Sequence, residues 1–113
     1  MALKAHVNFP IPANENVGTR ILSHFSKLGY RLIDESSNKW TFERGNKAAT
    51  FWRFDIRSYA TTLTVRATSQ EAGGLWVACD WEVWTFMTIA TSADVSTLEA
   101  EGHQLESAFR EPV

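Results

Sequence analysis

The chain has 113 residues, 44% of them hydrophobic and 21% charged, with a formal net charge of −2 and a pI near 5.9. That length suits one domain with one core, and folding at this size buries about two thirds of the unfolded surface, so neither a disulfide nor a metal is required for stability. The composition excludes a disordered chain, the mild acidity removes the dense basic face that nucleic-acid binding needs, and no apolar stretch approaches the ~20 residues of a membrane helix.

Residues 3 to 9 alternate Leu3, Ala5, Val7 and Phe9 with Lys4, His6 and Asn8, the period-two pattern of a strand with one buried face. Pro10 and Pro12 cannot donate to a ladder, so the strand is expected to stop there, with Asn14 capping a helix. Val17, Ile21, Leu22, Phe25 and Leu28 then form a helical stripe over residues 15 to 28, and Gly29 is placed to end it in a left-handed conformation. Gly18 inside this helix loses up to ~1 kcal/mol relative to Ala, which close packing on a sheet would explain.

Tyr30 to Asp34 and Lys39 to Arg44 are β-prone runs around the polar cluster Glu35 to Asn38, which predicts a hairpin with Trp40 and Phe42 inward. Arg44 shares that inward parity, but at a strand end beside Gly45, where a long side chain reaches water or a carboxylate. Residues 46 to 58 hold neither period and read as continued strand plus loop. Arg44, Lys47, Arg53 and Arg57 with Trp52 and Phe54 make a local basic, aromatic mixture of the kind that binds phosphates or stacked bases, set in an acidic domain.

Leu63, Val65 and Ala67 alternate with Thr62, Thr64, Arg66 and Thr68, and a polar stretch ending in Gly73 and Gly74 breaks the strand. Over residues 75 to 86, Leu75, Val77, Cys79, Trp81 and Val83 take one face, and Trp76, Ala78, Asp80, Glu82 and Trp84 the other. Both apolar sets are odd-numbered and must share a face, so the connecting loop should hold an odd number of residues, such as Ser69 to Gly73. Thr91 with Asp94 opens a final helix whose inward stripe is Val95, Leu98, Gly102, Leu105 and Phe109. The glycine in that stripe predicts that the backbone approaches a bulky group, one of the sheet tryptophans.

The elements therefore give an α+β fold in one domain, residues 1 to 113: two layers, an antiparallel sheet of about five strands with two helices on one face, in the order β-α-β-β-β-β-α. This order resembles that of the TATA-binding-protein-like and helix-grip folds, in which a long C-terminal helix lies across a curved sheet. The resemblance is one of element order over most of the chain and carries no motif; folds of this kind host DNA binders, lipid carriers and enzymes alike. The alternative, a ferredoxin-like sandwich, requires a second crossover helix within residues 46 to 58.

Chemistry-bearing residues are few. Cys79 is the sole cysteine and lies on the apolar parity, so it reads as a buried small hydrophobe. His6, His24 and His103 lack ligand spacing; the first and last read as surface residues and His24 as partly buried. No phosphate-cradling glycine loop, nucleophile elbow or dinucleotide fingerprint occurs, and no cofactor or metal is expected. Met1 to His6 lacks the layout of a signal peptide, which predicts a cytoplasmic protein.

Two features remain. Asp80 and Glu82 lie about 6.8 Å apart along one strand face, a carboxylate pair for acid-base chemistry or a solvated face with cross-strand partners such as Lys4, Lys39 or Arg66. Trp76 and Trp84 lie on the same face, opposite the core, and need cover from residues 46 to 58, a second copy or a partner. The leading expectation is a non-catalytic interaction module binding through Trp76, Asp80, Glu82 and Trp84, as a homodimer or with a protein partner. The alternatives are a carrier of a small hydrophobic ligand lined by Trp40, Phe42, Trp81 and Phe109, and an enzyme using the carboxylate pair.

Overall fold

The computed structural model describes residues 2–12, 16–45, 60–71, 73–84 and 92–110. The first strand, β1, spans Ala2–Ile11 and runs through Pro10, two residues beyond the expected stop. The reason is topological: β1 lies at the sheet edge and pairs only with the last strand, so a proline there sacrifices no ladder bond on its open side. Helix α1 spans Val17–Lys27 with Asn16 as N-cap, and no side chain caps it there; Asn14 lies outside the described residues. Gly29, at φ +93°, ends the helix as its position predicted.

Strands β2 (Arg31–Ser36) and β3 (Lys39–Arg44) form the predicted hairpin around Ser37 and Asn38, and Asn38 takes a left-handed φ of 58°. The hairpin is irregular at Leu32 to Asp34, where a bulge shifts the register. Strands β4 (Thr61–Ser69) and β5 (Leu75–Trp84) are antiparallel, with Leu63 opposite Trp81, Val65 opposite Cys79 and Ala67 opposite Val77. Odd residues thus oppose odd ones across the intervening residues 70 to 74, as shared burial required. Helix α2 spans Ser92–Arg110. Residues 46 to 58, and Thr91 of the expected capping box, lie outside the described residues.

The sheet order is β1-β5-β4-β3-β2 with every neighbouring pair antiparallel, an α+β architecture of five strands and two helices. The crossover helix that a ferredoxin-like sandwich requires within residues 46 to 58 would leave β3 and β4 parallel with another strand between them, whereas they are antiparallel neighbours. The helices cover one face, α2 over β1 and β5 and α1 toward β2 and β3, and the core between the layers holds Phe9, Phe25, Phe42, Leu63, Trp81 and Leu105 among others. Among the described residues no helix is long and apolar enough to cross a membrane.

Both helical glycines serve contact with tryptophan. A Cβ on Gly102 would lie 2.8 Å from the Trp81 ring and 3.0 Å from Val7 Cβ, and one on Gly18 would lie 3.0 Å from the Trp40 ring. Real Cβ atoms essentially never come as close as 2.8 Å and rarely as close as 3.0 Å, so hydrogen at Gly102 is what lets α2 settle on the sheet, and at Gly18 it spares Trp40 a shift.

Candidate functional site

Strand parity delivers the outer face of the sheet, the one away from the helices. Register aligns its residues in cross-strand rungs. One contains Lys4, Glu82, Thr62, Glu43 and Arg31; the next His6, Asp80, Thr64, Thr41 and Asp34; the third Asn8, Ala78, Arg66, Lys39 and Ser36. Trp76 lies beyond the third rung, between Pro10 and Thr68, and Trp84 beyond the first. The face carries threonine on its central strand and charge around it, and a hollow of about 260 Å³ opens between Lys4, His6, Thr62, Thr64, Asp80 and Glu82.

The four sequence-predicted residues come together on this face, with unequal exposure. Trp76 is 40% exposed, Asp80 and Glu82 are exposed, and Trp84 is half-buried. Among the described residues, neither Asp80 nor Glu82 makes an ion pair, although Lys4 stands opposite Glu82 in the register. The unexpected neighbours are Lys39 and Arg66, directly opposite one another across β3 and β4, also without an acidic partner. Like charges placed opposite in a sheet are mildly destabilising. The only ion pair on the face among the described residues is Arg31 with Glu43 at 3.9 Å, open to solvent.

The inner layer holds a second polar constellation. Arg44 does turn inward, and the carboxylate it reaches is Glu101 of α2: Nη1 donates to Oε2 at 2.7 Å and Nη2 to Oε1 at 3.3 Å. The side chains of the pair are 7% and 6% exposed. The Tyr30 hydroxyl donates to Glu101 Oε1 at 2.8 Å and accepts from Trp81 Nε1 at 3.1 Å, while Arg44 Nη1 also donates to the Leu28 carbonyl at the end of α1, at 3.1 Å. The Arg44 guanidinium lies 4.1 Å from the Tyr30 ring centroid. Burial, only partly offset by Arg44, holds the Tyr30 phenol well above its ordinary value, so it stays protonated and donates.

This network joins α1, β3, β5 and α2 at one point, and it is structural in design. Arg44 Nε is the one buried side-chain polar atom without a partner among the described residues. A polar cavity of about 450 Å³ beside it is lined by Lys27, Leu28, Arg44, Thr97, Glu101 and Gln104. His24 is half-buried, as its position predicted, and its Nε2 donates to the Glu101 carbonyl at 2.9 Å; His6 and His103 are exposed. With Arg44 buried, it cannot belong to a surface basic patch, and Lys47, Arg53 and Arg57 lie outside the described residues.

Trp40, Phe42, Trp81 and Phe109 are 6%, 1%, 1% and 8% exposed, each against other side chains: Trp40 under Gly18, Phe42 against Phe25, Trp81 under Gly102 and Phe109 beside Phe9 and Arg20. Cys79 is fully buried and its thiol is pushed up to about 12 by burial and, secondarily, by Asp80. Among the described residues no three His, Cys, Asp or Glu side chains are grouped to hold a metal ion. No protein family matches the chain, and no curated protein is similar to it in sequence.

Proposed function

We propose that the protein is a non-catalytic interaction module that binds its partner on the outer face of the sheet. The observation that carries this reading is the coexistence, on one face, of an exposed tryptophan and two like-charged pairs, Asp80 with Glu82 and Lys39 with Arg66, that are uncompensated among the described residues. Charges without a counterpart among the described residues are available to a counterpart in another chain, and an aromatic beside them supplies the apolar anchor. The hydrophobic-carrier reading has less support, because its four lining residues already pack on other side chains. The acid-base reading rests only on the spacing of two solvent-exposed carboxylates. A buried free thiol suits a reducing compartment, which supports a cytoplasmic location.

The test compares wild type with the Trp76→Ala/Arg66→Glu variant, both immobilised and exposed to lysate of the source cell, any captured protein being purified and its binding remeasured. The expected result is an unchanged urea midpoint with captured binding lost. Unchanged capture refutes the reading, and so does a stability loss above ~2 kcal/mol, which would mean the face is covered by its own chain.

A further inference from the structure

The outer face is laid out so that a two-fold rotation about one particular direction makes it complementary to itself. Take an axis parallel to the sheet and about 5 Å outside its outer face, across the strands, along the rung of His6, Asp80, Thr64 and Thr41. A second copy turned about it lays each strand antiparallel over its own counterpart. The rung of Glu82, Thr62 and Glu43 then faces the rung of Ala78, Arg66 and Lys39. Lys39 meets Glu43 of the other copy, Arg66 falls between Glu82 and Glu43 of the other copy, and Trp76 meets Trp84. The other axis parallel to the sheet, along the strands, sets Lys4 on Arg31 and Glu82 on Glu43, like upon like. Of the two, the cross-strand axis brings Lys39, Arg66 and Glu82 to opposite charges and leaves only Asp80 facing its own kind.

We infer that the partner of this face is a second copy of the chain, docked sheet to sheet about the cross-strand two-fold. This rests on the interaction-module reading above and names its occupant. The size is adequate: four strand spacings by eight residues of strand gives roughly 500 Å² per copy and about 1,000 Å² in all, the threshold of a specific interface. Aligned sheets pack with their strand axes within about 30° of one another, near 10 Å apart, and this arrangement keeps the strand axes aligned. The threonines at 41, 62, 64 and 68 offer methyl groups to that contact and hydroxyls that can bond across it. The unfavourable element is Asp80, which meets its own copy at the axis, beside His6 in the register.

The test is a charge swap read by sedimentation velocity of the full chain from micromolar to millimolar concentration. Lys39→Glu or Glu43→Lys alone should weaken self-association about tenfold or more, while Lys39→Glu/Glu43→Lys in one chain should restore it. The two residues lie four apart on β3, about 14 Å along the strand, so restoration reports a contact between copies and not within one. Asp80→Asn should tighten the dimer. A dimer insensitive to these changes, or weakened by the single swaps but not restored by the double, overturns the two-fold arrangement. A protein that stays monomeric throughout overturns the second-copy inference, and the capture experiment then decides the interaction-module reading separately.

Discussion

Replacing Gly102 with alanine should destabilise the protein even though alanine is the better helix former. In an open helix the exchange gains ~1 kcal/mol. Here the new methyl arrives 2.8 Å from Trp81 and 3.0 Å from Val7. Neither neighbour can retreat cheaply: Trp81 is 1% exposed with its indole bonded to Tyr30, and the nearest Val7 atom is its Cβ, fixed to the backbone of β1. Overpacking of this kind costs ~1–3 kcal/mol, so the net expectation is a loss of about 1 kcal/mol, rising beyond ~3 kcal/mol for Gly102→Leu. Urea unfolding at constant m-value measures it, with Ser96→Ala on the exposed side of α2 as the control expected within ~0.5 kcal/mol of wild type. In a Trp81→Phe background the clashing ring atom is absent, and Gly102→Ala should cost less than in the parent. A Gly102→Ala protein as stable as wild type, or more so, refutes the close-approach argument.

Arg44→Met should cost about 3–5 kcal/mol, because Glu101 is left as an unpaired buried carboxylate, and Arg44→Met/Glu101→Leu should recover most of the loss in the same urea experiment. Cys79 should resist a thiol-specific disulfide reagent in the native protein at mildly alkaline pH and react at once on unfolding. Its folded-state pKa is raised from 9.0 to about 12, so the stability it contributes is complete below pH 9 and is lost as pH rises toward 12; Cys79→Ala should flatten the fall of unfolding free energy across that window. Asn38→Val should destabilise by ~1 kcal/mol or more, since a β-branched residue is strained at φ 58°, while Asn38→Gly should be neutral within ~0.5 kcal/mol.

The sheet was legible because alternation carries register with it: once Leu63, Val65, Cys79 and Trp81 had to share a face, the parity of the connecting loop followed. Gly102 was legible for a similar reason, since a glycine on the buried stripe of a helix predicts something large opposite. Pro10 misled, because whether a proline ends a strand depends on whether that strand is at an edge, and edge position belongs to topology. Half of the buried ion pair was visible, in the inward parity of Arg44. Its partner was not: Glu101 stands 57 positions away on a helix surface where a glutamate ordinarily faces water. The outer face followed from the parity of Trp76, Asp80 and Glu82. The opposition of Lys39 and Arg66 needed the register of β3 on β4, which a connection without periodicity does not encode.

The pairing of β1 with β5 sets an order of assembly. Strands β2 to β5 are joined to their sequence neighbours and form as a meander, whereas β1 must find the opposite end of it, Ala2 against Trp84 and Ile11 against Leu75. Contacts of such sequence separation pay their loop-closure entropy before they return anything. Until β1 arrives, β5 is an unprotected edge, and Val7 is missing from the wall against which Gly102 and Trp81 meet. Amide exchange during refolding should therefore protect β3 and β4 before β1, and β5, a ten-residue strand with an open edge, is exposed to aggregation for as long as β1 is late.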